Sequence, residues 1–145
     1  MANKLANDVA KKFMPGFEIQ IGDLPQALAE ADVALASTGT VTMECAFFGV
    51  PTVALYKTSW LTYEIGKRIV TVKSLTMPNL LAGETVFPEF IQDDATPENL
   101  AQAGLELLQN QIRREIIRVQ LAKIILSLGE PGAAGGAAEA VLSLF

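Results

Sequence analysis

Apolar and polar residues alternate along this chain in two rhythms. Residues 2–14 repeat at helical spacing through Leu5, Val9 and Phe13 and stop at Pro15-Gly16. FEIQI, residues 17–21, alternates with period two and predicts a strand. Asp23 offers a cap for a short helix over 24–31, with Pro25 in its first turn. VALA, residues 33–36, is the short apolar run expected of a strand buried on both faces of a parallel sheet. The pattern next predicts a helix over 41–48, closed by Gly49, and a strand, TVALY, over 52–56.

WLTYEIGKRIV, residues 60–70, reads as a further amphipathic helix. Residues 77–100 carry turn signals at Pro78-Asn79 and Gly83 and read as a connecting loop, with a short helical turn starting at Pro88-Glu89 and Gln92. Thr96-Pro97-Glu98 opens a long helix, with Thr96 as cap and proline at the first position. Residues 111–145 read as helical, interrupted by GEPGAAGG at 129–136. No internal repeat or linker divides the chain. Strands alternating with helices predict an α/β fold, a mostly parallel sheet flanked by helices. A chain of 145 residues is long enough to bury a core.

Composition narrows the function classes. Half the residues are hydrophobic and 19% are charged, so the chain is globular. Net charge is −5, with no run of lysines and arginines, which argues against nucleic acid as a partner. The single cysteine, Cys45, excludes an intrachain disulfide and suits a reducing compartment. It lies in the apolar run ECAFF and reads as a small buried filler. There is no histidine, which removes Ser-His and Cys-His nucleophile pairs and any histidine metal site. The N-terminus has no apolar core of signal-peptide length, and nothing approaches the roughly 18 uninterrupted apolar residues of a membrane span. The expectation is a soluble cytoplasmic chain.

Candidate chemistry concentrates in ALASTGTVTMECAFFGVPTVALY, residues 34–56. In open parallel sheets, ligands sit beyond the carboxyl ends of the strands. Here a strand ends in Ser37 and Thr38, Gly39 lets the backbone turn closely, and Thr40 starts the next helix. Hydroxyls and the free N–H groups of a helix start hold an anion such as a diphosphate. Glu44, about one turn inside, can accept two hydrogen bonds from a vicinal diol such as a ribose. The same residues also suit a plain structural role, with Ser37 and Thr38 capping the helix and Glu44 favouring its dipole. Neither GxGxxG nor the P-loop pattern is present.

Both this segment and the 77–100 loop resemble the bacterial lipid-A-disaccharide synthases. The matching residues are Thr38-Gly39-Thr40-Val41-Thr42-Met43-Glu44, then Gly49-Val50-Pro51, then Tyr56, Leu61-Thr62-Tyr63 and Lys67-Arg68. The most specific part runs from Pro78 to Gly83 and continues through Pro88, Glu89, Gln92, Asp93, Pro97, Glu98 and Leu100. The tail GEPGA, 129–133, is also similar, and the resemblance covers residues 17–145.

The resemblance implies the C-terminal, donor-binding domain of a GT-B glycosyltransferase, with residues 97–145 as a helical part packing on it. It implies transfer of an acylated glucosamine from UDP to lipid X, giving the β-1,6-linked precursor of lipid A. Ser37, Thr38, Gly39 and Thr40 would line the diphosphate site and Glu44 would hold the ribose. Asn79 and Gln92 would lie near uracil or donor sugar, and Tyr56, Gly83 and Glu89 would complete the UDP-sugar site. No catalytic residue is assigned, and no metal or cofactor is expected. By the resemblance, the family's N-terminal acceptor domain and the first strand of this domain would have no counterpart in these residues, so the acceptor site would come from a missing domain or a partner subunit. The open sheet edge this leaves implies a homo-oligomer. Trp60, Leu61, Ile65 and Ile69, beside Lys67 and Arg68, would suit peripheral contact with the inner face of the inner membrane, or ordinary core packing. Arg113, Arg114 and Arg118 read as solvated charges. A non-catalytic nucleotide-sugar-binding or oligomerisation module is the alternative.

Overall fold

The computed structural model describes residue 16 and residues 20–69, 73–129 and 132–144. The helix expected over 2–14 and the first three residues of the strand expected over 17–21 lie outside these. Gln20 and Ile21, the last two, pair with no strand among the described residues. The elements run α1 (Leu24–Glu30), β1 (Ala34–Ser37), α2 (Thr40–Phe47), β2 (Thr52–Tyr56), α3 (Trp60–Ile69), α4 (Met77–Ala82) and β3 (Glu89–Ile91). A 3-10 turn (Gln92–Asp94) then leads to α5 (Pro97–Gln109), α6 (Gln111–Ser127) and α7 (Ala133–Leu142).

The three strands form one parallel sheet in the order β1-β2-β3. Ala34 pairs with Thr52 and Ser37 with Leu55, while Ala54 pairs with Glu89 and Tyr56 with Ile91. Successive strand side chains point to opposite faces. Thr52, Val53 and Ala54 are all at 0% exposure, so β2 is covered on both faces. Helix α5 packs on β1 and β2, while α2, α4 and α6 pack on one another. Their apolar faces meet in a core of Cys45, Val50, Val53, Phe87, Ile117 and Leu121. This is the α/β arrangement, a parallel sheet flanked by helices, that the alternating pattern predicts, and it is Rossmann-like. β1 is less protected. Leu35 is 58% exposed, and among the described residues no strand lies along the outer edge of β1.

Two elements differ from the expected loop over 77–100. Residues 77–82 form α4, with Pro78 in its first turn, where its missing N–H costs nothing. Gly83 ends that helix at φ 69°, a left-handed conformation that suits glycine, and its N–H bonds Asn79 O at 3.0 Å. Glu89, expected in a helical turn, begins β3 instead, because Ala54 N–H reaches Pro88 O at 2.9 Å and recruits the segment to the sheet. The long helix expected from Thr96 is also interrupted. Asn110 separates α5 from α6 and caps the latter by accepting from Arg113 N–H at 2.9 Å. Arg114 donates back to the last carbonyls of α5, those of Leu107 and Leu108, and so ties the two helices together. Arg118 pairs with Glu115 one turn away on the surface.

Candidate functional site

The turn from β1 into α2 lies at the carboxyl edge of the sheet. Thr38 N–H donates to Leu55 O at 3.0 Å, extending the ladder one residue past β1. Gly39 then takes φ 129° and ψ −159°, which a residue with a Cβ rarely adopts. Thr42 is fully buried and locks the turn. Its hydroxyl and its N–H both donate to Gly39 O, at 2.7 and 3.1 Å. Among the described residues no side chain caps the start of α2, so Ser37 and Thr38 do not perform the capping role open to them in the sequence. With Thr42 N–H spent on Gly39, the N–H groups of Thr40 and Val41 are the ones that keep their share of the helix dipole for a ligand.

Thr40 and Glu44 are four residues apart, hence neighbours on one face of α2. Both are exposed, as are Ser37 and Gly39, whereas Thr42, Cys45 and Ala46 turn into the core. Glu44 lies beyond the first helical turn, where the dipole has little hold on a carboxylate. The arrangement therefore presents backbone donors, two hydroxyls and one carboxylate on a single open surface.

Asn79 is only 2% exposed, and its amide is used at every position. Its Oδ1 accepts from Val86 and Phe87 N–H at 2.9 and 2.8 Å, and its Nδ2 donates to Phe87 O and Glu89 Oε1 at 2.8 and 2.7 Å. Glu89 also accepts from Leu75 N–H, Thr76 N–H and the Thr76 hydroxyl, at 2.9, 2.9 and 2.7 Å. The carboxylate thus fixes the two residues that lead into α4 from across the chain. Gln92 makes a two-pronged bond to the segment after β2, accepting from Thr58 N–H at 2.7 Å and donating to Thr58 O at 3.1 Å. It does so from φ 51°, a left-handed strain of about 1–2 kcal/mol for a residue with a Cβ. Asn79, Glu89 and Gln92 hold the loops around the sheet edge in place, while Asp93 and Asp94 stay exposed in the 3-10 turn.

Tyr56 ends β2 beside a pocket of about 300 Å³, whose lining also includes Thr62, Tyr63 and Lys67 of α3. Trp60 and Leu61, on the same helix, are 73% and 63% exposed. A larger depression of about 530 Å³ follows the outer face of α6, past Ile112, Ile116 and Val119, but gathers no comparable chemistry. Cys45 is buried, and that burial pushes its thiol above the ordinary value, against a hydrogen bond to Thr52 that lowers it. Among the described residues, no group of three or more Cys, Asp or Glu is placed to hold a metal. No described helix is long and apolar enough to cross a membrane.

A family model described as Lipid-A-disaccharide synthetase matches residues 5–141, almost the whole chain. The chain belongs to the lipid-A-disaccharide synthase family. A lipid-A-disaccharide synthase of Syntrophus aciditrophicus is 39% identical over 149 residues, covering 99% of this chain and 39% of that protein. Those of Solibacter usitatus and a Synechocystis strain are each 42% identical, over 83% and 80% of this chain and 32% and 30% of the relatives. The chain therefore spans between three and four tenths of the length of these synthases. The Gly39 turn, the Asn79 knot and β3 all fall within the part matched by the family.

Proposed function

We propose that this chain is the donor-binding portion of a lipid-A-disaccharide synthase, the C-terminal domain of a GT-B glycosyltransferase, holding UDP-diacylglucosamine for transfer to lipid X. The observation that carries the reading is the uncapped start of α2 behind Gly39, with Thr40 and Glu44 on its exposed face. The N–H groups and the Ser37, Thr38 and Thr40 hydroxyls receive the diphosphate, and Glu44 accepts from the ribose diol. As the acceptor hydroxyl attacks the anomeric carbon, the bond to UDP breaks and its electron pair passes to the diphosphate. Fixed donors at the helix start stabilise that charge without having to reorganise. The acceptor proton needs a base.

Glu89 is poorly suited to that task, since both its oxygens already accept hydrogen bonds within the fold. The base and the acceptor site belong, in this reading, to an N-terminal domain or partner subunit, because transfer requires donor and acceptor to be aligned between two surfaces. The domain works at the cytoplasmic membrane surface, with exposed Trp60 and Leu61 suited to peripheral contact. The test is reconstitution. The purified chain should form no lipid disaccharide from UDP-diacylglucosamine and lipid X, and adding an N-terminal domain from a matching synthase should restore transfer. Robust turnover by the chain alone would overturn the division of labour.

A further inference from the structure

Helix α6 carries two apolar faces, and the described fold uses one of them. Ile117, Leu121 and Ile124 turn into the core. On the solvent side Ile112, Ile116, Val119 and Leu126 are left between 48% and 80% exposed. Lys123 stands between the last two, so the stripe steps by 4, 3, 4 and 3 residues through positions 112, 116, 119, 123 and 126. That is the spacing of a helix-pairing seam, 3.5 residues on average. A helix that meets water on its outer side carries polar residues there, whereas one apolar on two sides is packed on two sides. A depression of about 530 Å³ follows the stripe, with Glu115 and Gln120 along its margins.

The charges on the stripe select its partner. Set in parallel against the same helix of a second copy, Lys123 would meet Lys123 and Glu115 would meet Glu115, a like-charge cost at both levels. Turned antiparallel about a two-fold axis at Val119, the same residues become complementary. Ile112 then lies against Leu126 of the second copy, and Glu115 against Lys123, once on each side of the axis. Glu115 gives Oε1 to Arg118 of its own helix at 2.6 Å, which leaves Oε2 for the lysine. Lys123 can lay its methylenes on the seam while its ammonium reaches that carboxylate. The stripe is therefore self-complementary, as an isologous two-fold contact requires. We propose that the outer face of α6 is a self-association surface, on which a second copy of this chain seats its own α6 antiparallel. The surface involves no strand edge and does not depend on the donor-binding reading. A contact one 17-residue helix long spans ~25 Å and buries less than the ~1,200 Å² of a standard interface. The pair accordingly forms and separates in the micromolar range.

Cysteine cross-linking of the whole chain tests both the surface and its direction. Under mild oxidation at tens of micromolar, Val119→Cys should give a covalent dimer, since the two sulfurs meet at the axis. Ile112→Cys alone should not, because its two copies stand ~21 Å apart along antiparallel helices, beyond the reach of a disulfide. A mixture of Ile112→Cys and Leu126→Cys should cross-link. The native chain, whose Cys45 is buried, should stay uncross-linked. In sedimentation equilibrium, Glu115→Lys and Lys123→Glu should each weaken the dimer about tenfold, and the double variant should recover it. All these positions are exposed, so circular dichroism should report the native fold throughout. No covalent dimer from Val119→Cys, or Ile112→Cys joining to itself as readily, overturns the antiparallel pair. Charge reversal without recovery in the double variant removes the Glu115–Lys123 contact and the proposal with it. A dimer formed through the edge of β1 alone would leave Val119→Cys uncross-linked and so contradicts this surface as well.

Discussion

Replacing Asn79 by alanine separates two roles that its place in the sequence leaves open. In the structure this side chain binds its own fold, through four hydrogen bonds of 2.7–2.9 Å. Truncation leaves the Val86 and Phe87 N–H groups and the Phe87 carbonyl without partners, at two residues of 0% exposure. Each unsatisfied buried group costs about 1–3 kcal/mol, and water entering the gap would recover part of the sum. Alanine returns up to ~0.7 kcal/mol of helix propensity in α4. The net loss is about 3–5 kcal/mol, a large share of the ~5–15 kcal/mol that holds a domain folded. Urea denaturation should show the midpoint falling sharply with the slope unchanged. Asn79→Asp keeps the Oδ1 acceptor but sets an oxygen against Glu89 Oε1, at a spacing of 2.7 Å. A proton shared by the two carboxyls restores a donor, so the native state binds more protons than the unfolded one. The Asn79→Asp deficit should therefore shrink as pH falls from about 7 to 5. A loss below about 1 kcal/mol in Asn79→Ala, together with abolished UDP binding, would refute the structural role.

Gly39→Ala forces a Cβ into φ 129° and should cost about 1–3 kcal/mol in a thermal melt; an unchanged melting temperature would show that the turn relaxes. Burial raises the Cys45 thiol, so a thiol reagent at pH 8 should react slowly with the native chain and quickly in urea, and equal rates would place the sulfur at the surface. The outer edge of β1, with Leu35 exposed, should pair with a second copy, giving a dimer or larger species in light scattering at micromolar concentration. A monomer alone would contradict that pairing.

The β1–α2–β2 unit was legible because its signals are local. An apolar run, a glycine break, an apolar helix and TVALY each declare themselves within a few residues, and β2 falls on 52–56 as expected. α4 and β3 were not legible, for a physical reason. A six-residue helix with Pro78 in its first turn looks like a turn, and Glu89, which fixes the entry to it, lies more than ten residues away in the chain. β3 has three residues and exists through its pairing with β2. Asn79, Glu89 and Gln92 stood out as polar residues in a specific loop. Their hydrogen-bond partners, which make them supports for the sheet edge, appear only in three dimensions.

A nucleotide cradle at the start of α2 can be decided by calorimetric titration of UDP into the chain and into Glu44→Ala. One UDP should bind saturably per chain, with affinity weakened by about 1.5–3 kcal/mol in Glu44→Ala, the range for hydrogen bonds to a charged group. The melting temperature of the variant should stay the same, because Glu44 is exposed and, among the described residues, its side chain makes no hydrogen bond. Unchanged UDP affinity with a lowered melting temperature would return Glu44 to a structural role and contradict the cradle.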